Sequence, residues 1–338
     1  MQQDLIGEAP SFLSILDKVS KLAPINRPIL IIGERGTGKE LIAQRLHYLS
    51  PRWNQPLITL NCASLSEGLI DSELFGHEAG SFTGSKGRHS GRFERAEKGS
   101  LFLDELATAP LVIQEKLLRV IEYGQYERVG GHAPINANVR LICATNANLQ
   151  EMSKAGLFRH DLLDRLAFDV IHLPPLRHRK QDILLLAEHY AIKMCRELKL
   201  EFFVGFSPVA TQAMMDYHWP GNVRELKNVV ERAIYMHGYS DRPIEDLVFD
   251  PFEPSWNTEK SLSKDSDSKL TTNHTENIRL TFPMNYKEWQ EKMDIELLNA
   301  TLEEAKYSQR KAAELLGLSY HQFRGMVRKY NLSTKSDS

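Results

Sequence analysis

The sequence predicts an α/β fold built on a buried parallel sheet, followed by an all-helical segment and then by a separate all-α C-terminal unit. Three observations carry this. First, the apolar runs PILIIG (28–33), PLITLN (56–61), GSLFLDE (99–105) and VRLICATN (139–146) alternate with amphipathic helical stretches over residues 5 to about 175. Strands that are apolar on both faces and separated by helices read as parallel and covered on both sides. Second, residues 176 to 250 are helical in pattern throughout. Third, residues 253 to 281 are rich in Ser, Thr, Asp, Lys and Asn and poor in apolar side chains, so they read as a linker, after which helical periodicity returns at about 284. The expected boundaries are 1–175 for the α/β part, 176–250 for the helical part, 251–283 for the linker and 284–338 for the C-terminal helices.

The elements follow in order. KELIAQRLHYLS forms a helix after the first strand, and APLVIQEKLLRVIEYG one after the third. SPVATQAMMDYHW opens with Ser207 as an N-cap and Pro208 at the first helical position. WPGNVRELKNVVERAIYMHG starts with Asn222 as its candidate cap and stops at Gly238. In YKEWQEKMDIELLNATLEEA, Tyr286, Trp289, Met293, Leu297 and Ala300 make an apolar stripe suited to a partner helix.

Composition narrows the function classes. With 42% hydrophobic and 25% charged residues in 338, the chain is an ordinary globular one. A net charge of -2 means that any nucleic-acid site must be local. Cys62, Cys143 and Cys195 are far apart and form no CxxC pair, which argues against a disulfide framework or zinc site and fits a reducing, cytoplasmic setting. The start, MQQDLIGEAP, lacks the basic and apolar segments of a signal peptide, and no apolar run is long enough to span a bilayer. The glycosylation patterns at Asn273 and Asn331 are then chance matches.

The chemistry concentrates at strand ends. GERGTGKE (Gly33, Glu34, Arg35, Gly36, Thr37, Gly38, Lys39, Glu40) fits a phosphate-binding loop directly after an apolar strand and before a helix. Its glycines turn backbone N–H groups toward phosphate oxygens, the helix N-terminus adds positive potential, and Lys39 reaches the terminal phosphates. The alternative is a tight strand-to-helix turn with a surface lysine. Glu40 stands where a metal-ligating Ser or Thr is usual, so Mg²⁺ must lean on water, Thr37 or a distant acid. Asp104, ending the third strand, would hold Mg²⁺, and Glu105 would polarise an attacking water; the alternative is an acidic strand end that caps the next helix. Asn146, at the end of VRLICATN, is placed to orient water near the γ-phosphate. Arg159 and Arg165 in FRHDLLDRL are candidate trans-acting arginine fingers, although surface ion pairing accounts for at least one such arginine in most chains. Arg224 is either a nucleotide contact from the helical part or an exposed helix charge.

GHEAGSFTGSKGRHSG (76–91) places Phe82 and Thr83 in a glycine-rich stretch. A phenylalanine exposed there gains nothing from water, which points to a protein partner.

Together these stretches resemble the bacterial enhancer-binding proteins that activate sigma-54 RNA polymerase. GERGTGKE, NCASL, DSELFGHEAGSFTGS, GSLFLDE, ATN, FRHDLLDRL, LPPLRHR and WPGNVREL carry the likeness over about residues 5–250. The resemblance implies an AAA+ P-loop ATPase with a parallel sheet and helical lid, working with ATP and Mg²⁺ as a homo-oligomeric ring, hexameric when active. It makes Glu40 the residue usual at its position. It implies that Asn61 switches the catalytic Glu105, that Asn146 is a first sensor and Arg224 a second, and that Arg159 and Arg165 lie in the finger region. The family's GAFTGA loop reads GSFTGS here (Gly80–Ser85), with Phe82 and Thr83 retained as the sigma-54 contacts and both alanines replaced by Ser81 and Ser85. Lys39 lies too near the start for a receiver domain to precede it, which favours the phage-shock branch of the family. That branch is restrained by a phage-shock inhibitor protein, and the exposed or locally packed Trp53 in LSPRWNQP is the candidate contact.

QRKAAELLGLSYHQFRGMVRKY reads as a helix–turn–helix. Ala312, Ala313, Leu315 and Leu316 form one face, Gly317 the turn, and Ser319 caps a second helix that carries Phe323, Met326 and Val327 inward. Ser319, Tyr320, His321, Gln322, Arg324 and Arg328 are left to face enhancer DNA. Between 306 and 335 seven basic residues stand against one acid, Glu314, as phosphate contact requires; a helical hairpin with a solvated charged face is the alternative. The pattern resembles a Fis-like domain. Gly325 inside the second helix costs about 1 kcal/mol relative to alanine. Two other functions stay open: an AAA+ remodelling ATPase of another pathway, and a DNA-binding repressor with a vestigial ATPase domain.

Overall fold

The computed structural model of the chain describes residues 5–81, 87–252, 286–305 and 308–330. The chain divides into two compact units, Met1–Thr258 and Glu259–Ser338. The linker expected at 251–283 falls almost wholly outside the described residues.

The first unit begins with α1 (Pro10–Leu22), β1 (Ile29–Ile32), α2 (Lys39–Tyr48), β2 (Leu57–Asn61), α3 (Glu67–Phe75) and the short α4 (Arg92–Arg95). β3 (Ser100–Asp104) then leads through a 3-10 turn into α5 (Leu111–Tyr123), a two-residue-per-strand hairpin of β4 (Gln125–Tyr126) and β5 (Ile135–Asn136), and β6 (Arg140–Thr145). α6 (Leu149–Lys154), α7 (His160–Leu166) and β7 (Val170–His172) complete the α/β part. The sheet runs β2-β3-β6-β1-β7 and every pairing in it is parallel. The four apolar runs of the sequence are its first four strands. β7 is three residues long, too short to show as a periodic run, and is held by β1 through Leu30↔Val170 and Ile32↔His172.

Alternation sorts each strand between two cores. Leu30, Leu101, Leu103, Leu141 and Cys143 face one core, roofed by α3, α5 and α7 through residues such as Phe75, Leu117 and Leu162. Ile29, Ile31, Phe102, Ile142 and Ala144 face the other, covered by α1 and α2 through Phe12, Val19, Ile42 and Leu46. Arg140 is buried between the layers, and its guanidinium donates to the C-terminal carbonyls of α1 at Leu22 (2.9 Å) and Ala23 (2.6 Å). A cation at a helix C-terminus satisfies orphan carbonyls and opposes the dipole.

The helical lid consists of α8 (Gln181–Glu197), α9 (Pro208–Asp216) and α10 (Asn222–His237) around Trp219, which is fully buried and donates its indole N–H to the Met214 carbonyl. Ser207 caps α9 by accepting from the Ala210 amide at 3.2 Å. Asn222 departs from the sequence expectation: Gly221 is the N-cap of α10, and Asn222 is its first helical residue, buried, at φ +53. Its side chain is engaged across the fold by Leu176, Glu34 and Arg35, which a local capping role would forbid.

The second unit contains α11 (Tyr286–Glu304), α12 (Gln309–Leu315) and α13 (Tyr320–Lys329). Leu298, Leu302 and Ala305 of the α11 side pack on Ala312, Ala313, Phe323 and Val327. Leu315, expected inward, is 59% exposed, because Ala312 and Ala313 already fill the short α12's contact face. Leu297 of the expected α11 stripe is likewise exposed within this single chain. Ser319 caps α13 in a reciprocal capping box with Gln322, so two residues read as DNA-facing also build the helix start. Gly325 is exposed, and a Cβ there would meet nothing.

Candidate functional site

The parallel topology fixes where the site lies. β6 separates β1 from β3, so the loop after β1 and the acidic end of β3 share one edge of the sheet, the edge at which open α/β sheets form a crevice. A cleft of about 710 Å³ opens there, lined by Arg35–Leu41, Asp104 and Glu105 from the α/β part and by Arg224 from α10.

Residues 33–38 wrap the start of α2. Gly36 has φ +76, and a Cβ there would strike the Gly221 carbonyl, so only glycine lets the lid approach the loop. Thr37 is buried and its hydroxyl donates to the Glu34 carbonyl at 2.8 Å. Lys39 is also buried; its ammonium donates back to the carbonyls of Gly33 (3.0 Å) and Glu34 (3.3 Å). Burial lowers the Lys39 pKa, opposed by the nearby carboxylates of Glu105 and Asp104. A cation so held, with two carboxylates facing it, fits a polyphosphate and its counter-cation: Mg²⁺ keeps several waters and takes one or two carboxylates together with substrate phosphates. Asp104 accepts from the Glu105 amide at 2.9 Å, and Glu105 sits at φ +51 with Arg35 3.9 Å from its carboxylate. Glu40 lines the cleft and is exposed.

Other predicted residues lie around this centre. Asn61 ends β2 directly beside Asp104 in register, but its side chain accepts from the Ala63 amide at 2.8 Å and does not line the cleft. Asn146 is exposed just beyond β6 and is also outside the cleft lining. Arg159 and Arg165 flank and end α7, away from the chain's own cleft. Arg159 pairs with Asp161 at 2.7 Å, and Arg165 with Glu122 of α5 at 3.1 Å. Trp53 is 63% exposed between α2 and β2. Phe82, Thr83 and Ser85 lie outside the described residues. The base of their loop is pinched where His77 bridges His89, and Arg128 fastens it with ion pairs to Glu78 (3.0 Å) and Glu94 (2.6 Å).

Sequence reasoning missed the lid hinge. Arg177 forks onto Glu34 at 2.6 and 2.9 Å, and Asn222 adds a bond to the same carboxylate at 3.1 Å. The Arg177 contact, then Asn222, hold the Glu34 pKa down at about 2. Arg179, buried, donates to the Thr37 carbonyl at 3.3 Å, stacks 4.7 Å over the Phe12 ring and lies 4.0 Å from buried Asp182. Asp182 in turn accepts from the Glu8 and Ala9 amides at 2.7 and 2.8 Å. LPPLRHR contains both arginines, yet nothing local in it marks which carboxylate each will meet. The cleft is also lined by Lys193 and Arg196 of α8 and Lys227 of α10, basic pairs at i, i+3 with Arg224 that helical spacing could have revealed.

Comparison with known proteins agrees with this geometry. Residues 5–172 match the sigma-54 interaction domain family, and residues 177–261 match an AAA+ ATPase lid domain. A Psp operon transcriptional activator from Escherichia coli K12 is 57% identical over 98% of this chain and 99% of its own length. NtrC from Salmonella typhimurium is 42% identical over 93% of this chain and 67% of its own, and the regulatory protein AtoC from Escherichia coli K12 is 47% identical over 69% of this chain and 50% of its own. The crystal structure of NtrX from Brucella abortus in complex with ATP superposes with a TM-score of 0.68 at 28% identity, covering 98% of this chain and 70% of that one. On both sequence and fold, the chain belongs to the sigma-54-dependent transcriptional activators, AAA+ ATPases built on the sigma-54 interaction domain.

Proposed function

We propose that the protein is a cytoplasmic, ATP-hydrolysing activator that binds upstream enhancer DNA and remodels the closed complex of sigma-54 RNA polymerase, acting at a phage-shock operon under an inhibitor protein. The observation that carries the reading is the buried Lys39 facing Asp104 and Glu105 in a cleft that lid cations also line. In this reading the loop amides and Lys39 bind the β- and γ-phosphates, and Arg224 reads the nucleotide from the lid. Glu105 takes the proton side of the attacking water, while Asn61 and Asn146 respond to the γ-phosphate. Mg²⁺, held by Asp104 and water, would neutralise charge on the phosphate oxygens.

Arg159 and Arg165 serve a neighbouring subunit's nucleotide in a hexameric ring; their position away from the chain's own cleft supports this. Phe82 and Thr83 contact sigma-54. Ser319, Tyr320, His321, Gln322, Arg324 and Arg328 of a Fis-like helix–turn–helix meet DNA, supported by the exposure of His321, Arg324 and Arg328. The very similar Psp operon activator supports the phage-shock assignment, with Trp53, exposed, as the inhibitor contact.

Transcription from a sigma-54 promoter in vitro tests the reading. Phe82→Ala and Thr83→Ala proteins are expected to hydrolyse ATP and to make no transcript; full activation by either removes the sigma-54 role. Unchanged inhibitor binding by Trp53→Ala removes that contact.

A further inference from the structure

Gln114 is fully buried on α5, an unusual place for an amide unless every polar atom is satisfied. Among the described residues its bonds all go to main chain, and they join two segments. Nε2 donates to the Ala109 carbonyl at 2.8 Å and to the Leu157 carbonyl at 3.3 Å, while Oε1 accepts from the backbone N–H of Arg159 at 2.9 Å. Ala109 closes the short turn that begins at Glu105. The 157–159 turn is pinned from behind as well, since the Met152 carbonyl accepts from the Leu157 and Phe158 amides at 2.9 and 3.3 Å and Phe158 is buried. By contrast, among the described residues the Arg159 guanidinium is held only by the half-exposed Asp161 and, at 4.0 Å, Glu115. Its root is fixed and its tip is loosely held.

We propose that Gln114 is a positioning residue for catalysis: it sets Arg159 at the height and direction needed to reach a neighbouring subunit's ATP, and ties that turn to the segment following the same subunit's Glu105. The inference rests on the reading of Arg159 as a trans-acting finger. An amide is required because the pin needs two donated bonds and one accepted bond at a single side chain. A leucine of similar size would fill the space and leave the Leu157 and Ala109 carbonyls and the Arg159 amide without this partner. Misplacing a reacting group by about an ångström costs on the order of a hundred-fold in rate.

The test uses full-length chains mixed in solution. Alone, Gln114→Leu is expected to lose about ten- to a hundred-fold in kcat for ATP while its KM stays within about two-fold, since its own pocket is intact. Lys39→Ala chains cannot hydrolyse ATP but carry an intact Arg159. Mixed with Gln114→Leu they should restore hydrolysis by offering that finger to the neighbour's pocket, as they should for Arg159→Ala. If Arg159→Ala is not restored, the finger reading fails whatever Gln114 does. If Arg159→Ala is restored but Gln114→Leu is not, or if Gln114→Leu keeps kcat within about two-fold of wild type, the positioning role is overturned. Should Gln114→Leu melt far below wild type, Gln114→Met, unbranched and free of polar N–H and C=O groups, takes its place in the mixing: restored hydrolysis supports the positioning role, and none overturns it.

Discussion

Two pairs of arginines, one at the lid hinge and one at the rim, are built differently. Arg179 is 2% exposed and meets a carboxylate that is itself fully buried; Arg177 forks onto Glu34 with Asn222 on the same carboxylate. Arg159 and Arg165 lie 37% and 60% exposed, Arg159 against the half-exposed Asp161 and Glu115 and Arg165 against Glu122. Buried charges must be satisfied in place, because an unpaired one has no water to fall back on. Exposed pairs contribute little and exchange readily. The hinge arginines therefore hold the lid to the phosphate loop within one chain, whereas the rim arginines are easily released, as the proposed trans-acting role requires.

That contrast can be broken or sharpened by substitution. The largest effect is expected from Asp182→Ala, which leaves buried Arg179 without its carboxylate and frees the Glu8 and Ala9 amides; a loss of about 3–5 kcal/mol should appear in urea or thermal unfolding. A loss below about 1 kcal/mol would place Arg179 in water and end the distinction. Asn222→Leu should cost about 1–3 kcal/mol, because the Leu176 amide and Arg35 carbonyl lose a buried partner.

Glu34 gives a pH signature. Its folded pKa lies at about 2, below the ordinary 4.5, so its contribution is fully present above about pH 4.5 and is lost as pH falls toward 2. The pair is about 40% exposed, with Arg177 at 37% and Glu34 at 41%, so the contribution is held to about 1 kcal/mol. Acid unfolding of Glu34→Gln should lack this component, and an unchanged acid limb would count against the hinge pair. The smallest effect belongs to the rim: Glu122→Gln should shift stability by less than about 0.5 kcal/mol, and a shift above about 2 would make Arg165 a structural residue.

How much was legible in the sequence follows from the range of each interaction. The strands, the loop Gly33–Lys39, the Asp104–Glu105 end and the Ser207 and Ser319 caps were readable because each is decided within a few residues, by periodicity, turn chemistry or a side chain bonding its own helix. Asn222 was misread for the same reason: its sequence position suits a cap, but its partners lie up to 188 residues away. Leu315 followed the apolar pattern, yet two alanines had already used the contact face. The pairing of Arg177 with Glu34, Arg179 with Asp182 and Gln114 with the Arg159 amide was invisible because sequence names donors and acceptors without saying which will share a volume. The sequence by itself determined an α/β nucleotide-binding fold, its phosphate loop and its acidic strand end. Only the tertiary structure decided which charges are buried and matched within the chain and which are left at the rim, since desolvation depends on what the folded chain brings together and not on neighbours along it.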